Sequence, residues 1–168
     1  MQIGLISDTH GFLDPLVLKA FADCDEVWHA GDFGAIEVAD ELEGLKAFRG
    51  VYGNIDDSPI RHRYPRDLRF EIGGVDVLMT HICGYPGRYN PRVREILDQA
   101  PPDVLVYGHS HILRVDTDEK RGGIIVVNPG AAGNYGDHLV RTLMKAEITN
   151  GEFSNLRVIE LGPRGGKR

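Results

Sequence analysis

The chain has 168 residues, with 25 acidic against 19 basic side chains, a net charge of −6 and 42% hydrophobic residues. That length buries roughly two-thirds of the unfolded surface without disulfides or a structural metal, and the composition excludes a disordered chain. The acidic balance argues against wholesale nucleic-acid binding, and no run approaches the ~20 apolar residues that cross a bilayer. The two cysteines, Cys24 and Cys83, lack C-x-x-C spacing and read as buried free thiols in a reducing compartment. Residues 1–7 read as a strand rather than a signal peptide, so the expectation is a cytoplasmic protein. One domain is expected over 1–162, with a basic tail over 163–168 as a frayed terminus.

In chain order, apolar runs rich in β-branched residues predict strands over 3–6, 26–29, 47–52, 75–79, 104–107, 112–115, 124–127, 138–148 and 153–161, each bounded by Gly, Pro, Asp or Asn. Between the first two, Leu13, Leu16, Val17, Ala20 and Phe21 form one helical face that starts at Asp14-Pro15. Residues 35–45 and 91–99 repeat that reading less cleanly. Strands alternate with helices through the first hundred residues and then strands follow strands, which predicts an α/β protein with two sheets flanked by helices.

Five short polar motifs directly follow predicted strands: Asp8-Thr9-His10, Gly31-Asp32, Gly53-Asn54, Thr80-His81 and Gly108-His109-Ser110-His111. In open α/β sheets, ligands bind outside the carboxyl ends of the strands, so groups scattered in sequence can converge there. Singly, each motif is better explained as a turn, a helix cap or a surface histidine; together they are hard to assemble by chance. Glycines before Asp32, Asn54 and His109 suit a chain that turns sharply with φ above zero. Asp-x-His and His-x-His place both side chains on one side of an extended segment. Three oxygen and four nitrogen donors without a thiolate exceed one tetrahedral zinc and divide naturally over two ions such as Mn²⁺, Fe²⁺, Co²⁺, Ni²⁺ or Zn²⁺.

The ordered set Asp-x-His, Gly-Asp, Gly-Asn, His, Gly-His-x-His resembles the calcineurin-like metallophosphoesterase superfamily over residues 3 to about 130, and the compact length resembles its small single-domain phosphodiesterase branch. The resemblance implies a four-layer α/β/β/α sandwich with a binuclear site. Asp8, His10 and His111 would hold one metal, Asn54, His81 and His109 the other, and Asp32 would bridge. It also implies Mn²⁺ first among the divalent ions, catalytic roles for Asp32, Asn54 and His81, and a dimer or tetramer. Phosphodiester hydrolysis by a hydroxide shared between two ions about 3.5–4 Å apart would follow. The expected substrate is a small phosphodiester, with nucleotide-like diesters among the candidates.

Two departures bear on mechanism. Many relatives carry a histidine after Gly-Asn to protonate the leaving group, and here that position is Ile55; Asp56, Asp57 and His62 are nearby, and no general acid is assigned. Many relatives read Thr-His-Gly-His where this chain has Thr80-His81-Ile82-Cys83-Gly84. Arg61, Arg63, Arg66, Arg69, Arg88, Arg92 and Arg94 crowd a segment with few acids and could guide an anionic substrate, although a solvated basic face explains them more simply. The turn Asn128-Pro129-Gly130 reads as a strand end. The alternatives are a phosphomonoesterase or nuclease of the same superfamily, or a non-catalytic interaction scaffold like the retromer subunit that shares this fold.

Overall fold

A computed structural model describes residues 1–165. Two five-stranded mixed sheets stack face to face, with helices on both outer surfaces. The first sheet has the order β10-β9-β1-β2-β3, from strands Gln2–Ile6 (β1), Glu26–His29 (β2), Ala47–Gly50 (β3), Val140–Thr149 (β9) and Glu152–Pro163 (β10). The second has the order β4-β5-β6-β8-β7, from Asp67–Ile72 (β4), Val75–Thr80 (β5), Val104–Val106 (β6), Arg114–Asp118 (β7) and Ile124–Asn128 (β8). Strands β1, β2 and β3 run parallel, as do β5, β6 and β8.

Period-two alternation sorts each strand's side chains between layers. Ile3, Leu5, Trp28, Val77, Met79, Val104 and Val106 fill the space between the sheets. Ile6 and Val27 instead face helices α1 (Pro15–Ala20), α2 (Ile36–Leu45) and α3 (Ser58–Arg63), and Leu78 and Leu105 face α4 (Pro91–Gln99). At Gly4 a Cβ would stand 2.6 Å from the Phe21 ring, so the missing side chain lets the residue after α1 reach the sheet. Asp14 caps α1 by accepting from the Leu16 amide at 2.9 Å, with Pro15 in the first turn. Asn90 caps α4 in the same way through the Val93 amide.

Four expectations change. Strand β4 was not expected: its Leu68, Phe70 and Ile72 pack on the core while Arg69 and Glu71 face outward, and the charges hide an edge strand. Helix α3 is too short to show periodicity and buries only Ile60. The strand expected over 112–115 lies later, at Arg114–Asp118, leaving Ile112 exposed. At the carboxyl end Pro163 still pairs with Val140 and the Arg164 amide donates to Leu139, so the strand runs into the segment read as a tail; residues 166–168 lie outside the described residues. Cys24 and Cys83 are buried free thiols, as expected. Among the described residues no helix is long and apolar enough to cross a membrane.

Candidate functional site

All five motifs leave the carboxyl ends of β1, β2, β3, β5 and β6 and meet at one edge of the sandwich. Two clusters result, Asp8 with His10 and His111, and Asp32 with His81 and His109; within each, the ligand atoms lie within 4.8 Å of one another. Asn54 joins the second through an Oδ1 placed 3.2 Å from His81 Nε2. The clusters adjoin, because His10 Nε2 lies 3.8 Å from Asp32 Oδ2 and His81 Nε2 lies 4.0 Å from Asp8 Oδ1. All seven residues expected from the sequence are therefore in one place.

The way they are aimed differs from expectation. Asp8, His10, Asp32, His109 and His111 all have φ between +48° and +67°, so Asp-x-His and His-x-His are left-handed loops rather than extended segments. Such backbone costs of the order of 1–3 kcal/mol per non-glycine residue and concentrates at functional sites. Gly31 has the positive φ expected, +95°, but Gly53 and Gly108 do not. There glycine serves close approach: a Cβ at 53 would overlap Asp32 Oδ1, and one at 108 would overlap Ser7 Oγ.

Buried partners fix three of the donors. Asp8 accepts the Ser7 hydroxyl at 2.6 Å and the His109 amide, which ties two motifs a hundred residues apart. Asp32 Oδ1 accepts the Ile55 amide at 3.1 Å. His81 Nδ1 donates to the Ala30 carbonyl at 2.7 Å, so Nε2 faces Asp32 Oδ2 and Asn54 Oδ1, both 3.2 Å away, where it holds a proton or a cation. Burial pulls the His81 pKa down, but the hydrogen bond that the imidazole gives to Asp32 and the charges of Asp8 and Asp32 outweigh it and hold the imidazole above its ordinary value. Burial pushes Asp32 up, while His81, the Ile55 amide and His10 bring it net below the usual carboxylate range. Burial also holds His10 and His109 below theirs. Lone pairs of imidazoles, carboxylates and an amide oxygen thus converge where only a proton or a cation relieves their repulsion, and hard and borderline N/O donors suit divalent ions of the Mn²⁺-to-Zn²⁺ series.

Several supporting groups were not anticipated. Asn128, fully buried, donates from Nδ2 to the Gly108 carbonyl at 2.9 Å and to Ser110 Oγ, holding the His109 loop, so it is more than the strand-ending turn expected. His29, also fully buried, stacks on Phe33 and pairs with Thr9 Oγ1 at 2.9 Å between the first two motifs. Tyr135 stands at the rim with its ring 5.2 Å from that of His10. Only Asn128 carried a sequence signal, its place after a strand. The three residues near Ile55 are otherwise employed: Asp56 accepts the Gly34 and Gly53 amides, Asp57 caps α3 and His62 bonds Ser58 on the exposed helix.

Comparison with known proteins gives the family and the fold. Residues 1–151 match the family model described as a calcineurin-like phosphoesterase superfamily domain. A protein of Methanothermobacter thermautotrophicus named probable metallophosphoesterase is 33% identical over 139 residues, covering 78% of this chain and 77% of its own length. A solved structure of an archaeal phosphodiesterase superposes with a TM-score of 0.72 at 26% identity, covering 96% of this chain and all of that one. Zinc-complexed Vps29 of Entamoeba histolytica reaches a TM-score of 0.75 at 20% identity, over 98% of this chain and all of its own, a likeness of fold. The family match alone spans the strand ends that carry all seven donors, and that match together with the 33% relative shows that the chain belongs to the calcineurin-like phosphoesterase superfamily.

Proposed function

We propose that the protein is a metal-dependent phosphodiesterase. The convergence of seven donors into two adjoining clusters carries this reading, since a scaffold needs none of them. Asp8, His10 and His111 would hold one divalent ion, and Asn54, His81 and His109 a second, with Asp32 between them. Two such ions, with Mn²⁺ the first choice, would lower the pKa of a water and neutralise phosphoryl oxygens.

The chain's own residues do the orienting. His81 is locked by the Ala30 carbonyl so that only Nε2 faces the centre, and Asp32 is held by the Ile55 amide. Asn54 is exposed at the mouth, where its amide nitrogen can donate to a phosphoryl oxygen while Oδ1 faces His81. Ile55, 47% exposed, has no proton to give. With Asp56, Asp57 and His62 engaged elsewhere, no acid next to it replaces the general-acid contribution, typically 10²–10⁴ in rate. This favours substrates with good leaving groups, and a diester, with one negative charge to a monoester's two, asks for less cationic help.

The test is hydrolysis of bis(p-nitrophenyl) phosphate and of p-nitrophenyl phosphate after chelation and restoration of Mn²⁺. Turnover of the diester that requires Mn²⁺ and exceeds the monoester is the expected result. Faster monoester turnover refutes the diester preference, and no turnover of either by metal-loaded protein replaces the enzyme reading with an interaction scaffold.

A further inference from the structure

Two cavities that share no lining residue open beside the candidate centre, and their chemistries are opposite. The first, about 310 Å³, reaches Asn54 and His81 and is walled by Arg61, Arg66 and Arg92. The second, about 240 Å³, reaches His109 and is walled by Tyr85, Tyr107 and Ile112. Each lies at or below the lower end of the ~300–1,000 Å³ typical of small-molecule sites, the size for one arm of a ligand rather than the whole.

The charge of the first cavity is not cancelled by its surroundings. Arg92 is paired with Asp67 and also donates to Thr80 Oγ1. Arg61 spends its donors on the carbonyls of Gly53, Asn54 and Asp56, which shape the Asn54 loop but leave its charge unneutralised. Arg66 is exposed and, among the described residues, pairs with no acid, and none of the residues walling the cavity is acidic. In the second cavity the one cation, Arg114, is paired with Asp116 and lies over the Tyr85 ring at 4.5 Å, so that wall is aromatic and electrically quiet. Arg63 and Arg69, by contrast, are tied to Asp40 and Asp76.

Resting on the phosphodiesterase reading, we propose that the substrate is an asymmetric phosphodiester whose two arms differ in kind. One arm is planar and apolar and lies against Tyr85 and Tyr107. The other ends in a second anionic group that Arg66 receives. A guanidinium presents a planar fork that suits a phosphate or carboxylate, and a field of surplus positive charge raises the local concentration of such an arm.

The probes are thymidine 5'-(p-nitrophenyl phosphate) and the same diester carrying a 3'-phosphate. In each, water adds its oxygen to phosphorus, the bond to p-nitrophenol breaks with its electron pair, p-nitrophenolate leaves, and both water protons pass to solvent. The wild-type protein is expected to prefer the 3'-phosphorylated diester in kcat/KM by roughly tenfold, the scale of a hydrogen bond to a charged group. Arg66→Ala is expected to bring that ratio close to one, and Tyr85→Ala to lower kcat/KM for both diesters alike. An unchanged ratio in Arg66→Ala, or no preference in the wild type, overturns the anionic arm. Full activity of Tyr85→Ala on both overturns the aromatic one. If neither diester is turned over, the phosphodiesterase reading fails by itself, and calorimetric binding of thymidine 3',5'-bisphosphate against thymidine 5'-monophosphate decides the cavity: tighter binding of the bisphosphate that Arg66→Ala abolishes supports it, and equal binding overturns it.

Discussion

Thr9 is not a candidate ligand, yet its hydroxyl joins the first two motifs of the candidate site, and removing it gives a sharp test of how the site is built. The Gly31 amide donates to His29 Nδ1 at 3.1 Å, so the imidazole proton sits on Nε2 and is donated to Thr9 Oγ1, 2.9 Å away. The Thr9 hydroxyl then donates to the Phe33 carbonyl at 3.1 Å. Thr9→Val keeps the volume and orphans the buried Nε2–H, at about 1–3 kcal/mol, and loses a hydrogen bond worth about 0.5–1.5 kcal/mol. Phe33 O retains the Gly11 amide, so it adds no further penalty. The expected cost is about 2–4 kcal/mol, a fall in Tm of roughly 5–15 °C for a chain of this length. Urea unfolding in chelator measures it free of metal linkage. The double variant with His29→Leu should be less destabilised than the sum of the single variants by about 1 kcal/mol, because the orphaned donor is gone. Thr9→Val within about 0.5 kcal/mol of wild type, or strict additivity, would refute the tautomer and the network built on it.

The same histidine sets an acid limit on stability. Burial pushes His29 down to about 3, so between pH 6.5 and about 3 the unfolded chain takes a proton that the folded one refuses. Its contribution is intact above pH 6.5 and is lost on acidification at up to about 1.4 kcal/mol per pH unit; unfolding at several pH values should show a shallower slope in His29→Leu, and an equal slope would assign the effect elsewhere. Burial pushes the Cys83 thiol up to about 12 and raises Cys24 as well. Neither should react with Ellman's reagent in native protein at pH 8, while both should in denaturant; rapid native labelling would contradict the packing. Gly53→Ala should displace the Asp32 carboxylate and weaken Mn²⁺ binding at least tenfold by electron paramagnetic resonance of the free ion. Gly44→Ala in α2, where a Cβ meets nothing within 4 Å, should instead stabilise by about 0.5–1 kcal/mol and leave Mn²⁺ binding alone.

What the sequence disclosed followed from periodicity and punctuation. β-branched runs located the strands of both layers except β4, placing β7 slightly early, and Asp14-Pro15 located the start of α1. The seven donors were visible because each stands just past a strand, a place defined by local pattern. The direction of their side chains was not, since alternation predicts extended backbone and five of them are left-handed. Gly53 and Gly108 were read through their own conformation although what they accommodate is Asp32 and Ser7, residues far away in the chain. Asn128 and the Thr9–His29 pair stayed hidden for the same reason: their value lies in contacts that exist only after folding. In the arginine-rich segment read as one basic face, Arg63, Arg69 and Arg92 are paired with acids, whereas Arg61 and Arg66 keep their charge beside a cavity.

The left-handed turns also restrict the alphabet of the centre. Asp, Asn and His enter that region several times more readily than other side chains that bind metals, whereas β-branched residues are nearly barred from it. The backbone at positions 8, 10, 32, 109 and 111 therefore selects carboxylates and imidazoles before any ion is considered. A relative that abandoned catalysis could meet that backbone with glycine or asparagine and need keep none of the carboxylates or imidazoles, whereas an engineer seeking a thiolate centre on this scaffold would have to redesign the loops before the ligands.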